Sequence, residues 1–251
     1  MSAESVQTSL QIGTVYLVVV TVDERKCGGL HQDSELLNQQ EKQLAARFVF
    51  AKDRHLYTVA HAMLRRSLSL FADVLPSAWC FEFGPQGRPE LSRIAHPNLS
   101  QLRFNLSHSH GIAVCAITSG FDVGIDIEDT TRLAPLDVAD HFFAPSEVAT
   151  LRRLPTHSQS ERFFQYWTLK ESYLKARGMG LSLPLDQFAF ELGDDGSIDI
   201  SFDTKIRDEP RDWYFKTWMF RQRYRMSLGV RSCGTEIGVM LAENGSWTRL
   251  P

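Results

Sequence analysis

The amino-acid sequence predicts an α+β protein built from two similar halves, residues 1–121 and 122–251, related by a pseudo-twofold duplication. Two observations point there. A strand followed by helical patterning opens each half, and short strands close it. In addition, Phe81-Glu82-Phe83-Gly84-Pro85-Gln86-Gly87 is echoed by Phe190-Glu191-Leu192-Gly193-Asp194-Asp195-Gly196, each after a helical stretch and each running into a short apolar segment. Two unrelated hairpins with glycine turns would present the same residues. If the halves are duplicated, the cleft between them is the natural place for a ligand, and the active site is expected there.

The elements follow in order. Residues 15–22 are rich in β-branched side chains and read as a buried strand, and helical patterning then runs from 33 to 70, strongest over 41–50 and 57–70. Residues 79–83 read as a strand, 84–89 as a turn, and 112–118 as a strand that Gly120 helps to end. In the second half 123–128 alternates as a strand, 133–151 and 160–177 suggest helices, and strands are expected near 188–192, 198–202, 213–220 and 225–230.

With 251 residues, 43% of them hydrophobic, the chain can bury a core without staples. Cys27, Cys80, Cys115 and Cys233 form no Cys-x-x-Cys pair, which argues against a zinc knuckle or a disulfide framework and for reduced thiols. Residues 1–11 carry no positive charge, and the apolar run that follows is too short to span a bilayer, so a cytoplasmic location without membrane attachment is expected. A formal charge of −3 argues against a broadly basic nucleic-acid binder and leaves room for a local basic patch.

In Val123-Gly124-Ile125-Asp126-Ile127-Glu128 the period is two, so Asp126 and Glu128 share the face opposite Val123, Ile125 and Ile127. Adjacent carboxylates repel unless solvent or a cation neutralises them, and a hard ion such as magnesium suits oxygen ligands. A solvated strand face bearing two acids is the alternative. Gly124 is read as leaving space on that face. Downstream, Trp167, Glu171 and Lys175 are spaced by four along one helical stripe, with Glu171 suited to complete the metal site or take a proton and Lys175 to meet a phosphate oxygen. The same spacing also describes an exposed helix pair beside a core tryptophan.

Asn105-Leu106-Ser107-His108-Ser109-His110-Gly111 is too rich in hydrogen-bonding groups for a core segment and reads as a binding loop. Ser107 beside His108 lacks the Gly-x-Ser-x-Gly elbow of a hydrolase, and His108 with His110 lacks a third zinc ligand, so phosphate contact is the better use. Gly87-Arg88-Pro89 sets a guanidinium on a turn, where its paired donors suit a phosphate monoester.

Taken together, Gly87-Arg88-Pro89, Asn105-Leu106-Ser107-His108-Ser109, Gly124-Ile125-Asp126-Ile127-Glu128, Trp167-x-x-Lys170-Glu171-x-x-x-Lys175 and Gly180-Leu181-Ser182-Leu183-Pro184-Leu185 resemble, in order, the motifs of the Sfp-type 4′-phosphopantetheinyl transferases. The resemblance implies that family's pseudo-dimeric α+β fold, coenzyme A as donor, a serine of an apo acyl or peptidyl carrier protein as acceptor, and a monomer. It also implies magnesium held by Asp126, Glu128 and Glu171. Arg88 and His108 would engage phosphates of the adenosine half, with Pro89, Asn105 and Ser107 lining the same site and Arg47 and Lys42 partly matching basic residues expected before the first helical Arg-Phe pair. The family commonly carries Lys where Arg88 stands. Two other readings stay open: a non-catalytic module that binds coenzyme A or a carrier protein, and a magnesium-dependent phosphodiesterase. The cationic stretch Lys205, Arg207, Arg211, Lys216, Arg221, Arg223, Arg225 and Arg231 is the expected carrier-docking region, against the alternative of solvated strand faces.

Overall fold

The structure is a computed structural model that describes residues 9–22, 30–84, 87–178, 183–243 and 246–251. Cys27, the Pro85-Gln86 pair of the first repeat and the Gly180-Leu181-Ser182 part of the last motif lie outside the described residues. The chain divides into two compact units, one of Met1–Glu82, Pro89–Gly120 and Ile237–Pro251, the other of Phe83–Arg88 and Phe121–Glu236.

In the first unit, strand β1 (Thr14–Thr21) precedes three helices, α1 (Leu30–Leu36), α2 (Gln39–Ala46) and α3 (Ala51–Ser69). Short β2 (Phe81–Phe83) and β3 (Pro89–Leu91) pair as a hairpin and lead to the long antiparallel pair β4 (Leu102–Ser109) and β5 (Ile112–Ser119). In the second unit, β6 (Val123–Asp129) is followed by α4 (Ala139–Phe142), α5 (Pro145–Arg153) and α6 (Thr156–Arg177). The hairpin β7 (Phe188–Leu192) and β8 (Ile198–Phe202) and the long pair β9 (Trp213–Phe220) and β10 (Tyr224–Arg231) complete it. The pairing orders β1-β5-β4 and β6-β10-β9 are the same, first strand beside last, all antiparallel. The repeat thus extends well beyond the two glycine-turn segments.

The expected division at 121/122 leaves the last residues with the second half, but β11 (Gly238–Glu243) pairs in parallel with β1, and β12 (Ser246–Arg249) closes that edge. Residues 105–109 are strand, not loop: they are the end of β4, and only His110 and Gly111, both at positive φ, form the turn to β5. The helix expected over 133–151 is two short ones, because Pro145 can begin a helix at its first position but cannot continue one.

Each unit packs its long helix on its sheet. In the first, Leu56, Met63, Leu64 and Leu68 of α3 cluster with Tyr16, Phe104, Cys115 and Ile117. Arg65, fully buried in that helix, spends its guanidinium on Glu41 Oε2 at 2.6 Å and on the Pro76 and Trp79 carbonyls at 3.1 and 3.0 Å. Glu41 also accepts from the Asn38 N–H in a capping box and lies 3.0 Å from His61 Nδ1. Burial alone would raise its pKa, but His61, Arg65 and the Asn38 N–H hold it below the usual carboxylate range. A depressed folded pKa means that Glu41 stabilises the fold above the unfolded carboxylate range and that this contribution is lost as pH falls. Acid-unfolding curves of Glu41→Gln are therefore expected to lose part of the low-pH slope seen for the wild type.

In the second unit, Phe163, Leu169 and Tyr173 of α6 pack with Phe188, Phe190, Ile200, Trp213 and Phe215. Lys170 is fully buried beside them: its ammonium lies 2.7 Å from Glu147 Oε2, donates to the Leu185 and Phe188 carbonyls at 2.8 and 2.6 Å, and sits 4.3 Å from the Phe188 ring centroid. Glu147 in turn accepts from the Ala144 and Phe190 N–H groups. Removing one partner strands a buried charge, so Lys170→Met is expected to cost about 3–5 kcal/mol in chemical denaturation, with much of that regained in Lys170→Met/Glu147→Gln. Among the described residues, no helix is long and apolar enough to cross a membrane.

Candidate active site

The even positions of β6, Gly124, Asp126 and Glu128, share one face, while Val123, Ile125 and Ile127 are buried on the other. β10 runs beside it with Gly229 opposite Gly124, Ser227 opposite Asp126 and Arg225 opposite Glu128. Helix α6 lies across the acidic face. Thr168 Oγ1 and Ser227 Oγ stand 2.7 Å apart, and Ser227 donates on to Thr217 Oγ1 of β9 at 2.9 Å, so the helix and two strands are tied by buried hydroxyls.

Gly124 sets how close the helix comes. A Cβ built there would lie 2.0 Å from the Ser172 carbonyl oxygen and 2.5 Å from the Ala176 nitrogen, both backbone atoms of α6. The space expected at Gly124 is thus filled by the helix itself. This contact carries Glu171 and Lys175, one turn apart on α6, to the two acids of β6. Lys175 Nζ donates to Asp126 Oδ1 at 2.6 Å and to the Ile125 carbonyl at 3.3 Å. Burial first, then Asp126 and Glu128, push the Glu171 carboxyl up to about 7, against the opposing pull of Lys175.

Asp126, Glu128 and Glu171 therefore form one electrostatic group, though among the described residues no three His, Cys, Asp or Glu side chains are gathered tightly enough to coordinate an ion as they stand. Their chemistry fits a hard divalent cation: oxygen donors only, with mutual repulsion that such a charge would relieve. The helix ends at Gly178, whose φ of 65° is the left-handed turn glycine accepts readily, and Lys175 and Arg177 complement its C-terminal dipole. Arg88 adds a third cation there, donating from Nη1 to the Ala176 carbonyl at 2.8 Å.

The remaining candidates belong to the first unit. Alternation along β4 puts Asn105 and Ser107 on one face and His108 on the other, so the three do not line one loop. Asn105 and Ser107 are buried and His108 is exposed. Pro89 begins β3, half-buried, and Arg47 is exposed at the C-terminal cap of α2.

The sequence reading missed an apolar cavity of about 230 Å³ walled by Glu128, Leu133, Pro135, Phe163, Phe164 and Trp167. Its signal was the apolar Leu133 and Pro135 close after an acidic strand. Trp167 stacks on Phe163 at 5.9 Å and is half-buried, so it serves the core and this cavity together. In the cationic stretch, Arg223 pairs with Asp129, Arg225 with Glu161 and Arg231 with Asp212, at 2.7, 2.8 and 3.5 Å.

Comparison with known proteins adds two family matches. Residues 122–228 match the model of the 4′-phosphopantetheinyl transferase superfamily, and residues 28–119 match that of the 4′-phosphopantetheinyl transferase N-terminal region. The 4′-phosphopantetheinyl transferase Sfp of Bacillus subtilis is 30% identical over 192 residues, 76% of this chain and 81% of its own. A second 4′-phosphopantetheinyl transferase from Bacillus subtilis is 29% identical over 192 residues, with the same coverage of both chains. The 4′-phosphopantetheinyl transferase HetI of a Nostoc species is 38% identical over 148 residues, 58% of this chain and 61% of its own.

Proposed function

The chain belongs to the 4′-phosphopantetheinyl transferase superfamily, and from that membership we infer that it moves the 4′-phosphopantetheine group of coenzyme A to a serine of an apo carrier protein, releasing 3′,5′-ADP. The observation that carries the reading beyond likeness is the contact of β6 with α6 at Gly124. It brings the acids of one element to the acid and the lysine of the other.

The serine oxygen attacks the phosphorus next to the pantetheine; a new P–O bond forms and the bond to the 3′,5′-ADP oxygen breaks. The nucleophile comes with the partner, which is why this chain needs no activated serine or cysteine of its own. Asp126, Glu128 and Glu171 would hold magnesium, whose charge would offset that of the pyrophosphate. Glu171 takes the serine proton, directly or through a water. Lys175 exchanges its hold on Asp126 for the phosphate oxygens and offsets charge on the leaving group. Arg88 and Pro89, with Asn105, Ser107, His108 and Arg47, would engage the adenosine half of coenzyme A. We place the enzyme in the cytoplasm as a monomer.

Mixing the protein with coenzyme A, magnesium and a panel of apo carriers, then weighing the carriers, tests this reading. At least one carrier is expected to gain a single phosphopantetheine group. No gain with any carrier, together with retained coenzyme A binding, would favour a non-catalytic binder. Release of 3′,5′-ADP without a carrier would favour a phosphodiesterase.

A further inference from the structure

Three rows of side chains cross the sheet face that α6 covers, read from β6 through β10 to β9. Gly124, Gly229 and Phe215 make the first, Asp126, Ser227 and Thr217 the second, and Glu128, Arg225 and Met219 the third. Helix α6 meets each row by different means. At the first, the backbone of Ser172 and Ala176 rests against Gly124. That contact limits how near the helix comes, but van der Waals contact has no preferred direction and leaves the helix free to slide along its axis. At the third, Arg225 donates to Glu161 Oε1 at 2.8 Å, and Glu161 is mostly exposed, so water screens the pair.

The second row supplies a directional tie. Thr168 Oγ1 lies 2.7 Å from Ser227 Oγ, Ser227 donates to Thr217 Oγ1 at 2.9 Å, and Thr217 donates to the Met226 carbonyl at 3.1 Å. Thr168 Oγ1 is also 2.7 Å from the Phe164 carbonyl, one turn back on its own helix. A chain of three hydroxyls thus joins a carbonyl of α6 to a carbonyl of β10. Thr168 and Ser227 are wholly buried, so water does not compete for these bonds. Glu171 lies three residues beyond Thr168, about 4.5 Å along the helix axis, and one residue before Ser172. It therefore stands between the hydroxyl tie and the Gly124 contact. The Lys175 bond to Asp126 is no substitute, because it opens when Lys175 turns to the phosphate oxygens.

We propose, on the transfer reading given above, that Thr168 is a positioning residue for the reaction, with Ser227 and Thr217 behind it. Its hydroxyl fixes where α6 stops along the sheet and so keeps Glu171 at Asp126 while Lys175 lets that acid go.

The test is Thr168→Val, which nearly keeps the shape of the side chain. Ser227 retains Thr217 as its acceptor, so no buried donor is stranded, and the melting temperature is expected to fall by no more than about 4 °C. The kcat for transfer is expected to fall about tenfold or more, with the KM for coenzyme A and for the carrier within about twofold of wild type. Thr168→Ser, which restores the hydroxyl, should recover most of the loss, and Thr168→Val/Ser227→Ala should fall no further than Thr168→Val. Crystal structures of the wild type and Thr168→Val give a readout that needs no turnover: the Glu171 carboxyl is expected to move off Asp126 by about 0.5 Å or more. An unchanged kcat, a loss shared by Thr168→Ser, a loss matched by raised KM values or a larger fall in melting temperature, or an unmoved Glu171 carboxyl would each overturn the proposal. A wild type that transfers to no carrier, with Glu171 displaced in Thr168→Val, would sink the transfer reading and keep the placement of Glu171 by Thr168.

Discussion

Gly124→Ala is expected to reduce transfer by about 100-fold or more and to destabilise the fold by about 3 kcal/mol. The added carbon would meet the Ser172 carbonyl oxygen at 2.0 Å and the Ala176 nitrogen at 2.5 Å, and neither atom can rotate away. Helix α6 must retreat by an ångström or more, which breaks the packing of its buried face and draws Glu171 and Lys175 off the two acids of β6. Overpacking of this kind costs about 1–3 kcal/mol, and backbone contact puts it at the top of that range. A misplacement of about 1 Å at a reacting centre is enough for a loss of about 100-fold. Two other glycines separate this mechanism from a general intolerance of side chains. Gly229→Ala meets the Phe215 ring at 2.9 Å and Ser172 Oγ at 3.3 Å, side-chain atoms that can shift, so its effect should be smaller in both melting temperature and kcat/KM. Gly87→Ala meets nothing within 4 Å and bears only the strain of its φ of 77°, about 1–2 kcal/mol.

Glu171→Gln is expected to lower kcat by about 1,000-fold while leaving the carrier KM near its wild-type value. The substitution removes both a proton acceptor and one of three carboxylates suited to the cation, yet keeps the size and the hydrogen-bonding reach of the side chain. Stability should move the other way. Burial and Asp126 disfavour the ionised Glu171, so neutralising it removes a repulsion, and the melting temperature is expected to hold or rise. A fall in kcat together with a lower melting temperature would point to a structural role for Glu171 instead.

Much of this architecture was legible because period and punctuation agree. Strands β7 and β8 fall on the expected residues because each alternates on either side of the Gly193 to Gly196 turn, β9 because its aromatic-rich run starts just after Pro210, and α6 ends at Gly178 as its patterning predicts but begins at Thr156, one turn ahead of the expected start. β4 was obscured because buried Asn105, Ser107 and Ser109 supply the polar half of an alternation whose apolar half, Leu102, Phe104 and Leu106, was visible but outweighed. β11 is set by parallel pairing with β1, more than two hundred residues earlier, which local pattern does not encode. The short helices over 139–153 follow from Pro145, a signal present but overridden by apolar periodicity.

At the site, the period of two in β6 and the spacing of four in α6 identified the acids and the lysine. What they could not give is which neighbour in Lys170-Glu171 is the structural one. A helix turns about 100° per residue, so Lys170 enters a buried pair with Glu147 while Glu171 faces the acids of β6. Nor did they reveal that Lys175 rests on Asp126, a contact between residues 49 apart in sequence.

The proposed role of Asp126, Glu128 and Glu171 is to hold one divalent cation together. Calorimetric titration of magnesium into the protein with coenzyme A, repeated with Asp126→Asn, Glu128→Gln and Glu171→Gln, tests it directly. The account predicts one site per chain in the wild type and a loss of affinity of about tenfold or more in every single variant. Wild-type magnesium affinity in all three variants would contradict it.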